Sequence, residues 1–252
     1  MKKTAFITGA TSGIGQATAR LFAAQGIDLV LTGRRQERLD ALKIELSAQV
    51  KVETLNFDVR DRASVFAAVE SLSPEWKSAV NVLVNSAGNA HGRASFQDAE
   101  LDDFEAMIDI NVKGLLYVSK AVLPLLLENG HGHIVNLSSI AGKEVYPNGN
   151  VYCASKSAVE AISEAMRIDL LPEGVKVTNI APGMVETEFS LVRFKGDEAQ
   201  AAATYAGITA LTADDIAESI YFAVSQPEHV QIADLTIFPK AQASAHDYKR
   251  EN

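Results

Sequence analysis

The sequence predicts an α/β fold, a doubly wound parallel β-sheet of about seven strands with helices on both faces. Short runs rich in Val, Ile and Leu alternate with stretches of helical period, which indicates repeated strand–helix units. Apolar residues at most strand positions are typical of strands that are covered on both sides. The 252 residues contain no linker-like, low-complexity or repeated segment. We therefore expect a single domain over residues 1–252.

The strands and helices are expected to alternate along the whole chain. Each expected strand is a short apolar run, at residues 4–8, 28–32, 50–57, 80–85, 133–138, 176–181 and 231–238. Each expected helix repeats apolar residues every three or four positions, at residues 13–25, 35–48, 62–71, 101–129, 151–171 and 212–225. Right-handed crossovers between parallel strands place all their carboxyl ends at one edge of the sheet. A ligand crevice is expected outside that edge.

A glycine-rich turn joins the first expected strand to the first expected helix. It reads T-G-A-T-S-G-I-G over residues 8–15. Glycine permits a tight turn and a close approach of the backbone to a phosphate, while a helix N-terminus offers unpaired N–H groups to an anion. The spacing G-x-x-x-G-x-G differs from the common dinucleotide fingerprint G-x-G-x-x-G. The strand before and the helix after it favour nucleotide binding over an ordinary turn.

Tyr152 and Lys156 are four residues apart and should share one face of a helix. A lysine charge close to a phenol favours the phenolate and lowers the pKa of the tyrosine toward neutral pH. A tyrosine with such a pKa can exchange a proton with a substrate. Ser139 ends an apolar run and can supply a hydroxyl at a strand tip, with Ser138 as the alternative. The Tyr-x-x-x-Lys spacing alone is also typical of a solvated helix face.

Several segments in a fixed order resemble the short-chain dehydrogenase/reductase family, and the resemblance covers nearly all of the chain. They are T-G-A-T-S-G-I-G at 8–15, Asp58-Val59, N-S-A-G at 85–88, Asn111, Ser139, Tyr152 with Lys156, and P-G-M-V-E-T at 182–187. The resemblance implies a Rossmann-type fold and hydride transfer by a nicotinamide cofactor. Shorter strings, such as those at 32–39, 149–152, 188–197 and 210–212, resemble the branch of NADP-dependent 3-hydroxy acid dehydrogenases that also oxidise serine and allo-threonine.

The resemblance assigns a role to each matching residue. Tyr152 would exchange the proton, and Ser139 would donate to the substrate oxygen. Lys156 would lower the tyrosine pKa and bind the nicotinamide ribose, and Asn111 would distort a helix and pass protons through its backbone. The expected cofactor-binding residues are Gly9, Thr11, Ser12, Gly13, Ile14, Gly15, Arg34, Arg35, Asp58, Val59, Asn85, Ala87, Gly88, Tyr152, Lys156, Pro182, Gly183, Val185 and Thr187. Asp58 fits a helix cap equally well, and 85–88 fits an ordinary turn.

The residues that follow the second expected strand predict NADP as the cofactor. An NAD enzyme typically places a carboxylate near the end of this strand, but here Arg34 and Arg35 follow it and the next carboxylate is Glu37. Guanidinium groups suit a 2′-phosphate, which a carboxylate would repel. The alternative interpretation is a solvent-exposed arginine pair at a helix start.

Arg193 is the candidate for substrate binding. It lies in segment 189–195, where the family has a mobile substrate lid, and it could bind a carboxylate bidentately. We predict a short 3-hydroxy acid or β-hydroxy amino acid as substrate, such as serine, allo-threonine or 3-hydroxypropionate. A solvated charge is the alternative for Arg193. The alternative functions are a 3-oxoacyl-carrier-protein reductase, another carbonyl reductase, or a non-catalytic NADP-binding regulator.

Composition limits the partners. A net charge of -9 and a pI near 5.1 argue against nucleic acid and anionic membranes. The single cysteine, Cys153, suits a reducing compartment, and no apolar run is as long as a membrane span, so we expect a cytoplasmic protein. His131 and His133 lack neighbouring ligands, so no metal is expected. The resemblance implies a homotetramer, and the polar tail 239–252 is either a subunit contact or frayed.

Overall fold

The computed structural model of the protein describes residues 2–250 and contains one parallel sheet of seven strands. The strands are β1 (Thr4–Ile7), β2 (Asp28–Gly33), β3 (Val52–Asn56), β4 (Val82–Asn85), β5 (His133–Leu137), β6 (Lys176–Pro182) and β7 (Asp234–Ile237). Their spatial order is β3-β2-β1-β4-β5-β6-β7. The strand order therefore reverses between β1 and β4, which is where sheets of this type form a ligand crevice. The predicted fold class is confirmed.

Helices cover both faces of the sheet. They are α1 (Gly13–Ala24), α2 (Gln36–Leu46), α3 (Arg62–Glu70), α4 (Pro74–Ala79), α5 (Leu101–Ile108), α6 (Leu115–Asn129), α7 (Asn150–Asp169), α8 (Phe189–Arg193), α9 (Glu198–Tyr205) and α10 (Ala213–Ser225). A π-helical segment, Asp109–Gly114, joins α5 to α6, and a 3₁₀ turn at Ile140–Gly142 follows β5. The predicted helices are all present, whereas α4, α8 and α9 were not predicted. These three are too short to show a clear helical period.

Alternate residues of each strand face opposite layers, as the period of a β-strand requires. In β1, Ala5 and Ile7 pack in a cluster with residues of α1, α2 and α10. Phe6, between them, packs in a second cluster with residues of α3 and α6. The β1 residues of both clusters are fully buried, so the sheet lies at the centre of the molecule. The faces of the sheet are covered by helices, and the site lies at its carboxyl edge.

The continuous helical stretch Leu101–Asn129 is long and apolar enough to span a bilayer by length and composition alone. More than half of its most apolar window is buried inside the protein. Val118 and Val122 of this stretch belong to the second core cluster. The sequence expectation that no apolar segment reaches the length of a membrane span is therefore corrected, and this helix packs as a core helix does.

Candidate active site

A cavity of about 440 Å³ opens at the carboxyl edge of the sheet. It brings the glycine turn together with Tyr152 and Lys156 of α7. The predicted site residues that line it are Gly9, Thr11, Ser12, Gly13, Ile14, Arg34, Arg35, Asp58, Val59, Ala87, Gly88, Ser139, Tyr152, Lys156, Pro182, Gly183, Val185, Thr187 and Arg193. Gly15, Asn85 and Asn111 are not among the lining residues. The cavity thus collects segments that are far apart in the sequence.

The glycine turn has the shape that a dinucleotide phosphate needs. Gly9 and Gly13 have positive φ angles of 66° and 52°, which disfavour residues with a side chain. A Cβ on Gly9 would lie 3.0 Å from the Ala87 backbone. A Cβ on Gly15 would overlap the Gly9 carbonyl, so Gly15 lets α1 pack against the turn. Ser12 precedes α1 without a side-chain cap, which leaves N–H groups for a phosphate, and the residues present fit the cofactor.

Asn85 lies away from the cavity. It is buried at the end of β4, and its Nδ2 donates to Ser119 Oγ and to Asn136 Oδ1, both at 2.9 Å. Asn85 and Asn136 are register partners on β4 and β5. We therefore correct its predicted cofactor contact and place Asn85 in the polar network that joins these strands to α6.

Asn111 lies within the π-helical segment, in agreement with the expected distortion of the helix. Its Oδ1 accepts from Asn89 N at 2.9 Å, and its Nδ2 donates to Asn89 O at 2.8 Å and to Ser155 Oγ at 3.0 Å. The side chain thereby links the segment after β4 to α7. A Cβ on Gly88 would lie 3.1 Å from Asn111 Oδ1 and 3.4 Å from Lys156 Nζ, so both groups pack closely behind Gly88.

The two candidate serines have different partners. Ser138 Oγ donates to the backbone carbonyl of Lys156 at 3.2 Å. Ser139 Oγ accepts from Ala141 N at 3.1 Å and donates weakly to Pro182 O at 3.4 Å. Ser139 is also close enough to affect the titration of Tyr152. Ser139 is therefore the serine placed beside the tyrosine, as the family spacing implied.

The electrostatics of Tyr152 differ from the sequence expectation. Burial raises the pKa of Tyr152, the Tyr146 phenol adds to this effect, and the Ser139 hydroxyl and the Arg193 guanidinium oppose it. Burial also lowers the pKa of Lys156 to about 8, and its Nζ donates to Leu137 O at 2.8 Å. The expectation that Lys156 holds the tyrosine pKa below its usual range is wrong, because burial outweighs the Ser139 hydroxyl and the Arg193 guanidinium, which are the groups that lower this pKa.

An arginine cluster lies beside the glycine turn. Arg35 Nη2 donates to Thr11 Oγ1 at 3.0 Å and to Ser12 Oγ at 2.7 Å. Arg38 was not predicted, and its Nη1 donates to Thr11 O at 3.3 Å. The signal was present in the sequence, because Arg38 lies in the first turn of α2, three residues after Arg35 at the helix start, and residues at this spacing share a helix face. Arg34 is more exposed and lies 3.7 Å from Asp58.

Asp58 lines the cavity but does not cap α3. The cap is Asp61, whose side chain accepts from Ala63 N and Ser64 N. Asp58 pairs instead with Arg60 at 2.7 Å. The alternative interpretation of Asp58 as a helix cap is therefore wrong.

Arg193 reaches the tyrosine from α8. Its guanidinium carbon lies 5.4 Å from the centre of the Tyr152 ring and 5.8 Å from that of Tyr146. Nη1 donates to Tyr146 Oη at 3.2 Å, and Nε donates to Gly92 O at 3.3 Å. The side chain is part-buried in the cavity wall rather than solvated. Tyr146 was not predicted, because a single tyrosine before a helix has no distinctive sequence pattern.

The carboxyl-terminal segment packs on its own chain around the cavity. Gln242 is buried, its Oε1 accepts from Met184 N at 2.8 Å, and its Nε2 donates to Ser244 O at 3.0 Å. Tyr248 and Arg250 line the cavity, and Arg250 donates to backbone carbonyls at the end of α9, among them that of Ala206. The tail is therefore neither frayed nor detached over residues 239–250; residues 251–252 lie outside the described part.

The histidines considered for metal binding have separate partners. His131 Nδ1 lies 2.9 Å from Glu228, and the buried His133 Nε2 lies 2.8 Å from Thr178 Oγ1. Residues 2–250 contain no group of three or more His, Cys, Asp or Glu side chains that could hold a metal ion.

This combination of glycine turn, tyrosine, lysine and serine can be compared with known proteins. The sequence profile of the family described as short chain dehydrogenase matches residues 3–197. The chain belongs to the short-chain dehydrogenase/reductase family. It is 50% identical over 244 residues to a sulfoacetaldehyde reductase of Chromohalobacter salexigens, covering 96% of each chain. It is 45% identical over 240 residues to the NADP-dependent 3-hydroxy acid dehydrogenase YdfG of Escherichia coli, covering 95% of this chain and 96% of the other.

Solved structures agree with the family assignment. The closed form of a serine dehydrogenase complexed with NADP⁺ superposes with a TM-score of 0.92 at 43% identity and covers 99% of this chain and 100% of that one. Serine dehydrogenase from Escherichia coli gives a TM-score of 0.82 at 39% identity, over 95% and 99% of the two chains. This short-chain dehydrogenase/reductase is an NADP-dependent oxidoreductase that acts on hydroxyl or carbonyl groups.

Proposed function

We propose that this reductase interconverts a short hydroxy compound bearing an anionic group and its carbonyl form. The substrates that we consider first are 3-hydroxy acids and β-hydroxy amino acids, such as 3-hydroxypropionate, serine and allo-threonine. The observation that carries the proposal is the place of Arg193, whose guanidinium lies 5.4 Å from the Tyr152 ring centre. An anionic group held there would lie next to the reacting carbon rather than at a distance from it.

Tyr152 and Ser139 are the groups proposed to act on the substrate oxygen. NADP supplies or accepts the hydride when it is bound. Because burial raises the pKa of Tyr152, its phenol is protonated at neutral pH and suits donation of a proton to a developing alkoxide. The Ser139 hydroxyl is placed to donate to the same oxygen, where negative charge develops.

Lys156 and Asn111 are proposed to support this pair. Lys156 Nζ lies behind Gly88 and would reach the nicotinamide ribose. Asn111 joins the segment after β4 to α7 and thereby fixes where the tyrosine helix lies. Arg34, Arg35 and Arg38 would bind the 2′-phosphate. Thr187, whose Cβ lies close to Gly13 of the glycine turn, would bind the nicotinamide amide.

A second candidate substrate is sulfoacetaldehyde. The identity of 50% to a sulfoacetaldehyde reductase favours it. In both sulfoacetaldehyde and malonic semialdehyde, one methylene carbon separates the anionic group from the aldehyde carbon. Arginine can bind a sulfonate or a carboxylate through two parallel hydrogen bonds, so the same site suits either head group.

The test compares anionic and neutral carbonyl substrates. The oxidation of NADPH would be measured with sulfoacetaldehyde, malonic semialdehyde, propionaldehyde and an acetoacetyl thioester. We expect kcat/KM to be higher for the two anions by about 10- to 150-fold, the equivalent of a charge-assisted hydrogen-bond pair. Arg193→Gln should remove this preference. Arg93→Gln is the matched control, because Arg93 is an exposed arginine that lines the same cavity.

Two results would contradict the proposal. Equal turnover of propionaldehyde, or a preference for the thioester, would indicate a general carbonyl reductase or an acyl-carrier reductase. Tyr152→Phe is expected to lower kcat by about 10²- to 10⁴-fold while NADPH still binds. Near-normal turnover by that variant would show that the tyrosine does not transfer the proton.

A further inference from the structure

The helix α8 ends at a lysine whose backbone lies in the left-handed region. Lys195 has a φ of 54° and follows the C-cap residue Phe194. Lys195 N donates to Val192 O at 3.1 Å, and Gly196 N donates to Leu191 O at 2.9 Å. This pair of hydrogen bonds is the helix ending in which the left-handed position is usually a glycine. A lysine persists there when other contacts of the residue hold it in place.

The side chain of Lys195 is held by a carboxylate of α5. Its Nζ lies 2.9 Å from Asp103 Oδ1, and the side chains of Lys195 and Asp103 are 57% and 13% exposed. A fully exposed ion pair adds little to stability, but a carboxylate that has lost most of its hydration needs a partner. The Asp103–Lys195 pair therefore joins the end of α8 to α5 and holds Lys195 in its strained conformation.

Asp103 also packs on the segment that holds Arg193. A Cβ on Gly92 would lie 2.8 Å from Asp103 Oδ2, so this carboxylate lies directly against the Gly92 backbone. Gly92 N donates to Arg193 O at 2.9 Å. The side-chain hydrogen bonds of Arg193, to Gly92 O at 3.3 Å and to Tyr146 Oη at 3.2 Å, are longer. The place of the guanidinium therefore depends mainly on where the backbone of Arg193 is held.

The helix that carries Arg193 is too short to be stable by itself. It has five residues, and isolated helices much longer than this are only marginally stable in water. Glu188, which precedes α8, pairs with Arg38 at 2.8 Å and holds the first end of the helix. The Asp103–Lys195 pair holds the other end, where Arg193 lies. Loss of this pair would thus loosen the end of α8 that faces Tyr152.

We propose that the Asp103–Lys195 pair positions Arg193 over Tyr152 and thereby sets how strongly the enzyme prefers an anionic substrate. Neither member of the pair is among the residues that line the cavity, so both act through Arg193 as positioning residues. The helix α5 influences the choice of substrate in this way without contributing a residue to the cavity lining. The inference rests on the proposed binding of the anionic group of the substrate by Arg193.

The first test measures kcat/KM for malonic semialdehyde and for propionaldehyde at saturating NADPH. The variants Lys195→Met and Asp103→Asn both break the pair, but they change the net charge in opposite directions. Each should lower the ratio of kcat/KM for the anion to that for the neutral aldehyde about fivefold, mainly through a higher KM for the anion. Turnover of propionaldehyde should stay within about twofold of the wild type, whereas a general loss of structure would lower both activities alike.

Three further variants serve as controls. Lys195→Arg keeps the charge and should keep the ratio within about twofold of the wild type. Asp102→Asn removes an exposed carboxylate next to Asp103 on α5 and should also change the ratio by no more than about twofold. The double variant Asp103→Asn with Lys195→Met should be no worse than either single variant, because all three lack the same pair.

The outcomes separate the pair from the site on which it depends. If the wild type does not prefer the anion, the proposed function fails and the inference fails with it. If the wild type prefers the anion but both variants keep that preference, Arg193 stands and only the role of the pair is overturned. Opposite changes, weaker in Lys195→Met and stronger in Asp103→Asn, would overturn it as well, because they would show a charge effect without positioning.

The second test follows the end of α8 by amide hydrogen exchange and needs no substrate. Lys195→Met and Asp103→Asn should each speed exchange over residues 191–196 about fivefold, as loss of one ion pair predicts. Asp102→Asn and Lys195→Arg should leave exchange there within about twofold of the wild type. Exchange at the wild-type rate in both pair-breaking variants would show that the pair does not hold α8, and would overturn the inference whatever the activities are.

Discussion

Replacing Lys156 by methionine is expected to stabilise the folded protein at neutral pH. The ammonium group is buried, and its hydrogen-bond partner among residues 2–250 is the Leu137 carbonyl, at 2.8 Å. Burial lowers the pKa of Lys156 from 10.5 to about 8. A difference of this size corresponds to roughly 3 kcal/mol of lost folding free energy at pH 7. The unpaired carbonyl would cost about 1 kcal/mol, so Lys156→Met should gain about 2 kcal/mol.

The gain should depend on pH with a definite sign. Below pH 8 the lysine is protonated in both the folded and the unfolded wild type, so the full penalty applies. Between about pH 8 and 10.5 the folded state loses its proton first, so wild-type stability rises with pH relative to the variant. Near pH 10.5 the difference should reverse, because only the lost hydrogen bond remains. Tyr152 is present in both proteins, so its own titration cancels in this comparison.

The assay is urea unfolding of both proteins at pH 7, 8.5 and 10, at one protein concentration. Lys120→Met, which removes an exposed lysine of α6, should change stability by no more than about 0.5 kcal/mol at each pH. A variant that is less stable than the wild type at pH 7, or a gain that does not shrink as the pH rises, would refute the reasoning. A confirmed gain would mean that the chain keeps a destabilising charge for its function.

Two further predictions concern the support of the site. Gly15→Ala should weaken NADPH binding at least about 10-fold in calorimetry, because its Cβ would lie 2.8 Å from the Gly9 carbonyl carbon and force the turn open; an unchanged affinity would contradict this. Gln242→Ala should lower the Tm by about 4–8 °C, because Met184 N loses its acceptor and about 2 kcal/mol is lost. A fall of less than 1 °C would show that the tail does not hold the loop after β6.

The carboxyl-terminal segment extends the site beyond the motifs that identify the family. Gln242 holds the backbone of the P-G loop, and Ala245 N donates to Glu144, which lies between β5 and α7, at 2.9 Å. Arg250, the last described residue of the carboxyl-terminal segment, contacts the backbone of α9 and of Ala206 after it. Substitutions in this polar tail therefore act on the same loop that is proposed to bind the nicotinamide amide.

The local sequence was sufficient for most of the fold and for part of the site. Apolar runs and helical periods predicted all seven strands and the long helices, because burial on both faces leaves a strong pattern in each element. The glycine turn could be predicted as well, since positive φ angles at Gly9 and Gly13 demand a residue without a side chain. The order of motifs was enough to place Ser139, Tyr152 and Lys156 at one cavity.

The sequence by itself therefore determined the parallel sheet and the glycine turn, and it was enough to name the side chains that are proposed to react. Only the tertiary structure decided that Asn85 joins two strands, that Gln242 supports a distant loop and that Glu188 pairs with Arg35 and Arg38. It also decided the direction of the Tyr152 pKa, which burial raises against the opposing effects of the Ser139 hydroxyl and the Arg193 guanidinium. Periodicity reports what a residue does within its own element, whereas hydration and long-range contacts depend on which elements the fold brings together.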